Sequence, residues 1–235
     1  MLPRSRALTP ALAAVAAVAS VLVSAPPAQA DLIGTTSSSD VVLRNKCFHH
    51  PIDYAFVVSP GTLLWQTKIS LVDPSGRTSE GIDLSSVDAD AATGTVKVLF
   101  CGSYDPGTWT VHTTGSYQVV PAVNIPIDVS DSTFQVRRAR SRTALRPTHL
   151  DGRHYRLTAL VTDQRRHGFK PTTSAEVLFQ RKVHGTWKAI RGSRTLTDHG
   201  LASYVVTAAP GSKVRAVTAH AGYLGGSTSR TRVLR

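Results

Sequence analysis

The sequence predicts an all-β protein, built as two β-sandwiches in tandem behind an export signal. Three observations carry that expectation. Apolar residues recur at every second position in short runs, and no stretch sustains a 3.6-residue apolar period. Clusters of Gly, Pro, Asp and Ser break those runs at intervals of about ten residues, the punctuation of a sandwich. The charge also changes sign part-way along the 235 residues. From 31 to 131, eleven Asp/Glu stand against five Lys/Arg, a net of −6. From 132 to 235, twenty Lys/Arg stand against four acids, a net of +16. The overall charge of +12 therefore belongs to one half of the chain. Charge of this kind speaks to partners and association, not to fold.

Residues 1–30 read as a secretory signal peptide. Arg4 and Arg6 supply the positive start, 8–23 is an almost unbroken apolar run, and Ala28-Gln29-Ala30 is a small-x-small cleavage site. The run is short for a spanning helix, which needs about 20 residues, and no later stretch is apolar enough to span a bilayer. The mature chain is expected outside the cell, secreted and in contact with the cell wall. In that compartment Cys47 and Cys101 are expected to pair.

The first module is assigned to 31–138. Val41 and Leu43 alternate with Val42 and Arg44. Tyr54, Phe56 and Val58 form a second run, stopped by Ser59-Pro60-Gly61. Trp65, Thr67, Ile69 and Leu71 form a third, ended by the turn Asp73-Pro74-Ser75-Gly76. Val96, Val98 and Phe100 share one face of a fourth, with Lys97, Leu99 and Cys101 on the other. Asp105-Pro106-Gly107 turns the chain into Trp109, Val111 and Thr113, and 119–129 and 134–136 supply the last strands. The order Cys47, Trp65, Cys101 resembles an immunoglobulin layout, although Leu99 stands where that pattern has a tyrosine.

The second module is assigned to 139–235. Tyr155, Leu157, Ala159 and Val161 alternate with Arg156 and Thr158, and Val177 and Phe179 alternate with Glu176 and Gln180. Gly185-Thr186-Trp187 marks a hairpin, Asp198-His199-Gly200 and Pro210-Gly211 mark turns, and 203–208, 213–220 and 231–234 complete the strands. With no cysteine, this half must hold together by its core, which about 100 residues suffice to build. The stretch 177–229 resembles the Ig-like β-sandwich modules common in secreted bacterial proteins. The matching positions are Gln180-Arg181, 185–187, 197–200, Tyr204 and 223–227. The resemblance covers the last hundred residues well and the first half poorly. It implies two tandem Ig-like β-sandwich domains, and because its motifs are turn and core positions it implies no catalytic residue. Some proteins of this kind are loosely labelled calcium-binding.

Chemistry-bearing patterns are sparse. His49-His50 is the one histidine cluster, but neighbours in a strand face opposite ways, so no metal site is expected there. The remaining seven histidines are scattered, mostly near turns, and read as solvated. The nearest approach to a calcium site is Asp83, Asp88 and Asp90; read as a loop from Asp88 it has Thr93 where an EF-hand needs glycine and Leu99 where it needs glutamate. Nucleophile-elbow, zinc-protease and phosphate-loop motifs are absent, and the mature chain holds two glutamates, Glu80 and Glu176. The expectation is a non-catalytic extracellular binding, adhesion or structural module that needs no cofactor. Its basic residues Arg137, Arg138, Arg140 and Arg142 at the junction, and Arg165, Arg166 and Lys170 in one loop, are the candidates for contacting an anionic wall polymer or polysaccharide. Arg230, Arg232 and Arg235 crowd the tail. A surface protein is the other partner expected; nucleic acid does not suit the compartment. The alternatives are a calcium-dependent structural protein, or a secreted enzyme or enzyme inhibitor.

Overall fold

A computed structural model describes residues 33–57, 61–79, 81–88, 91–119 and 123–235. The expected signal peptide and Asp90 lie outside the described residues. Those residues form strands joined by turns, with no helix.

The first half contributes β1 (Ile33–Ser37), β2 (Val41–Val42), β3 (Phe48–Val57), β4 (Thr62–Val72), β5 (Ile82–Ser85), β6 (Thr93–Phe100), β7 (Gly107–Val119), β8 (Val123–Pro126), β9 (Asp128–Val129) and β10 (Ser132–Arg137). They make two sheets, β6-β3-β1-β9 and β2-β10-β7-β4-β5, with β8 folded back on β7. The chain switches sheets between β1 and β2. The alternation seen in the sequence decides which side chains go inside: Trp65, Thr67, Ile69 and Leu71 of β4 are buried, as are Val96 and Phe100 of β6 and Trp109 and Val111 of β7. Phe100 is central, with ring centroids 5.2 Å from Trp109 and 6.0 Å from Phe134. The turn after β4 is tied by one carboxylate. Asp73 Oδ1 accepts from the Ser75 and Arg77 backbone N–H groups at 2.8 and 2.9 Å, and Gly76 supplies φ +83°.

The second half contributes β11 (Ser141–Asp151), β12 (His154–Arg165), β13 (Gly168–Pro171), β14 (Glu176–Val183), β15 (Thr186–Leu196), β16 (Leu201–Thr207), β17 (Lys213–Thr218), β18 (Ser227–Thr228) and β19 (Arg232–Val233). In one sheet β12 is flanked on both sides: Leu157 pairs with Pro147 of β11 and with Tyr204 of β16. The other sheet runs β15-β14-β17-β18, with β19 also on β17. Residues 165–170, read from sequence as a loop, are a hairpin instead: Arg165 closes β12 and pairs with Gly168, and Lys170 pairs with Asp163. The core is lean, with Tyr155, Leu157, Phe179 and Leu234 among many alanines.

The two halves repeat one strand order. The sheet β6-β3-β1 corresponds to β16-β12-β11, and β5-β4-β7-β10 corresponds to β15-β14-β17-β18. Opposite charge has therefore been laid on one plan. Each half has its own buried cluster, and Tyr223 packs against both. Around it the Ala139 N–H donates to the Tyr223 carbonyl at 2.7 Å and Arg138 Nε donates to the Gly222 carbonyl at 3.0 Å. The seam is thus built from backbone and an aromatic ring; each ion pair among the described residues lies within one half.

The Cys47–Cys101 bond is present, with Cα atoms 4.0 Å apart. Its place differs from the immunoglobulin expectation. There the bridge joins the two sheets over a tryptophan; here it follows the pair Phe48–Phe100 and ties two neighbouring strands of one sheet, β3 and β6. Trp65 packs instead on Phe56, 6.0 Å away. The reason is the location of Cys101, which directly follows β6, the hydrogen-bonded neighbour of β3, rather than lying in β7 of the other sheet.

Candidate functional site

The structure separates most of the junction arginines. Arg137 points along β10 and meets Asp40 at 2.8 Å. Arg138 is spent on the Gly222 carbonyl at the seam. Arg140 is exposed between β10 and β11. Arg165 is held by buried Asp163 at 3.1 Å and by the Pro171 carbonyl at 3.0 Å. Arg166 and Lys170 are exposed on the β12–β13 hairpin. Alternation parts Arg137 from Arg138, and the chain leaves β10 at Arg137 and enters β11 only at Ser141, so Arg138, Arg140 and Arg142 do not share one strand face despite their even spacing.

Arg142 has a different setting. It lies on β11, the free edge of its sheet, beside the free edge of the other sheet formed by β18 and β19. Between the two edges runs an open groove of about 580 Å³. Arg142, Arg230 and Arg232 line it together with the hydroxyl residues Ser141, Thr143 and Ser227. Two of the arginines are fixed, each differently. The Arg142 guanidinium turns across the outer face of β12 and stacks 3.8 Å over the Phe169 ring of β13. Arg232 Nε donates to the Leu145 carbonyl at 3.1 Å, fastening β19 to β11 across the groove. Arg230 is exposed, on the segment joining β18 to β19. The floor is a hydroxyl network: Thr143 Oγ1 lies 2.6 Å from Thr218 Oγ1 and 2.7 Å from Ser227 Oγ, and Ser141 donates to Ser227 Oγ at 2.7 Å.

Among the described residues no carboxylate lines this groove. The four acids of the second half have partners elsewhere: Asp163 and Glu176 form ion pairs with Arg165 and Arg194, and Asp151 and Asp198 contact the His154 and His199 rings. The groove is therefore a strip of uncompensated positive charge. Arginine forks match phosphate and carboxylate oxygens bidentately, and flanking hydroxyls supply neutral donors. Of its three cations, Arg142 was a candidate from sequence. The crowding of Arg230 and Arg232 was visible there too, but nothing in the sequence brings the tail beside β11.

Two features of the first half are structural. A smaller cleft of about 330 Å³ in the first half is lined by Asp73, Arg77, Asp105, Tyr104 and Trp109. Arg77 bridges Asp73 at 2.8 Å and Asp105 at 3.1 Å. The Ser75 hydroxyl, then the Arg77 and Ser75 contacts, hold the Asp73 carboxyl down at about 2. That is a clamped turn, with both Asp73 carboxylate oxygens occupied. Of the calcium candidates, Asp83 sits on β5 and Asp88 in the turn after it. Among the described residues no group of three His, Cys, Asp or Glu side chains is arranged to hold a metal ion.

His49 is exposed and His50 buried, as alternation requires. His50, for which the sequence carried no expectation beyond the absence of a metal site, is part of the core. Its ring packs between Phe100 and Phe134, and Nε2 lies 2.8 Å from the Ser38 hydroxyl. Burial lowers its pKa below the ordinary value, and the Arg44 cation adds to this against the opposing Ser39 backbone hydrogen bond. No family model and no curated protein matches this chain, so the reading of its function rests on the chemistry of the groove.

Proposed function

We propose that the chain is an exported, non-catalytic binding or adhesion module whose second sandwich contacts an anionic wall polymer or polysaccharide. The observation that carries this reading is the β11/β18–β19 groove, where Arg142, Arg230 and Arg232 line one open cleft while all four acids of that half are paired elsewhere. A linear polyanion suits a long edge groove, because its repeating charges follow a strand direction and release counterions on binding. Both halves are read as immunoglobulin-like: the repeated strand order supports that reading, although the placing of the disulfide departs from it.

The test is co-sedimentation of mature protein, 31–235, with isolated cell walls across a salt series. The wild type is expected to pellet at low salt and to release as salt rises. Replacing Arg142, Arg230 and Arg232 together by Gln is expected to lower retention and flatten the salt dependence. Retention of the triple variant equal to wild type at every salt concentration sinks the assignment of this groove.

A further inference from the structure

The second sandwich has two free lateral edges, and the other one is also basic. Leu157 pairs with β11 on one side and β16 on the other, so these strands bound their sheet on opposite flanks. In the facing sheet Gln180 of β14 pairs with Ala189 of β15 on one side and Arg215 of β17 on the other, and β17 carries β18 beyond it. The β15/β16 edge is thus the far side of the module from the β11/β18 edge. Between β15 and β16 lies a second open groove of about 610 Å³. Its cations are Arg181, Lys188 and Arg191, with Tyr204 beside them. Lys188 pairs with Arg181 across the β14–β15 ladder, and the Tyr204 hydroxyl donates to the Arg191 carbonyl at 2.8 Å, joining the two sheets at this edge. As in the first groove, no acid lines it, and the acids of this half are paired elsewhere.

We infer that the second module is bivalent: two three-cation grooves on opposite edges each hold a segment of linear phosphate- or carboxylate-bearing polymer, so the protein cross-links polymer chains. This rests on the polyanion reading above and adds valence to it. Four strands at about 4.8 Å spacing set the edges roughly 15 Å apart. The grooves lie on opposite edges of the module and both follow the strands, so a single chain would have to double back round the module to fill both. A chain too short or too stiff to double back fills one groove only, and the second groove is then left for another chain.

The experiment uses mature protein with long-chain polyphosphate, and in a second arm poly-glutamate, to separate phosphate from carboxylate chemistry. Binding is read by fluorescence anisotropy of labelled polymer and cross-linking by turbidity across the mixing ratio. The wild type is expected to bind and to cloud near charge balance, clearing when either component is in excess. A groove neutralising three charges should lose roughly 20-fold in affinity between 50 and 200 mM salt. Neutralising one groove (R142Q/R230Q/R232Q, or R181Q/K188Q/R191Q) should keep binding but abolish clouding, and neutralising both should abolish binding. A control set of three exposed cations outside both grooves, R153Q/R156Q/R166Q, removes the same charge and should still cloud. Tryptophan fluorescence unfolding confirms that each variant is folded. Binding without clouding by the wild type overturns bivalence and leaves the single-groove reading standing. So does clouding by either one-groove variant, or its loss in the control set. Absence of binding to both polymers at low salt overturns the polyanion reading and this inference together.

Discussion

Removing the disulfide tests how the first module is held. In the double variant Cys47→Ala/Cys101→Ala little packing is lost, because Cys47 is exposed and Cys101 only half-buried. The ladder below the bridge also survives, running in register from Phe48–Phe100 to Ala55–Thr93. The loss should therefore fall on the unfolded chain. A sequence separation of 54 closes a loop of some 55 residues. The chain-entropy relation then gives about 14 cal/mol/K, or about 4 kcal/mol at 25 °C. Equilibrium urea unfolding reads this in a Trp187→Phe background, where the fluorescence comes from buried Trp65 and Trp109 of the first half. With a slope near 1.5 kcal/mol/M, the midpoint should fall by about two to three molar, and the slope should rise because the unfolded chain without the bridge exposes more surface. A fall below about 0.5 M would refute the reasoning, since it would mean that the unfolded chain already keeps Cys47 and Cys101 together.

Three further outcomes follow from the core and the seam. Thr67 is 3% exposed and its hydroxyl has no hydrogen-bond partner, so Thr67→Val should stabilise by about 1 kcal/mol, read as a higher urea midpoint. The depressed His50 pKa means that the unfolded chain takes up the proton first as pH falls; stability is full above the ordinary value of 6.5 and declines below it until the folded value is passed. His50→Phe should flatten that part of the stability–pH curve relative to wild type, and an unchanged difference between pH 7.5 and 5 would count against it. At the seam, a Cβ on Gly102 would lie 2.2 Å from the Arg44 carbonyl oxygen and 3.1 Å from Tyr223 Cβ. Gly102→Ala should cost about 1–3 kcal/mol of overpacking and speed proteolysis at the 138–140 connection; an unchanged melting temperature with unchanged cleavage is the contrary result.

Strand positions and the inward faces were legible because a sheet has a period of two and each half buries one face of each sheet. Trp65, Ile69 and Leu71, or Tyr155, Leu157 and Val161, declare themselves by alternation alone. The acid–base division between the halves was equally open to reading, being a count. Short edge segments were not: β1, β5 and β13 carry few apolar residues, and Lys170 gave no sign of pairing with Asp163. The candidate site was legible in composition and not in place. A run such as Arg137, Arg138, Arg140 and Arg142 is one cluster in sequence, yet the sheet sends one member to Asp40, one to a seam carbonyl and one to the groove. What the amino-acid sequence by itself determined is the element type, the faces that go inward and the charge of each half, all local or additive properties. Which cations converge, that two grooves face away from each other, that the bridge lies within one sheet and that His50 is sealed between aromatic rings were decided by tertiary structure, because each depends on strands distant in the chain becoming neighbours.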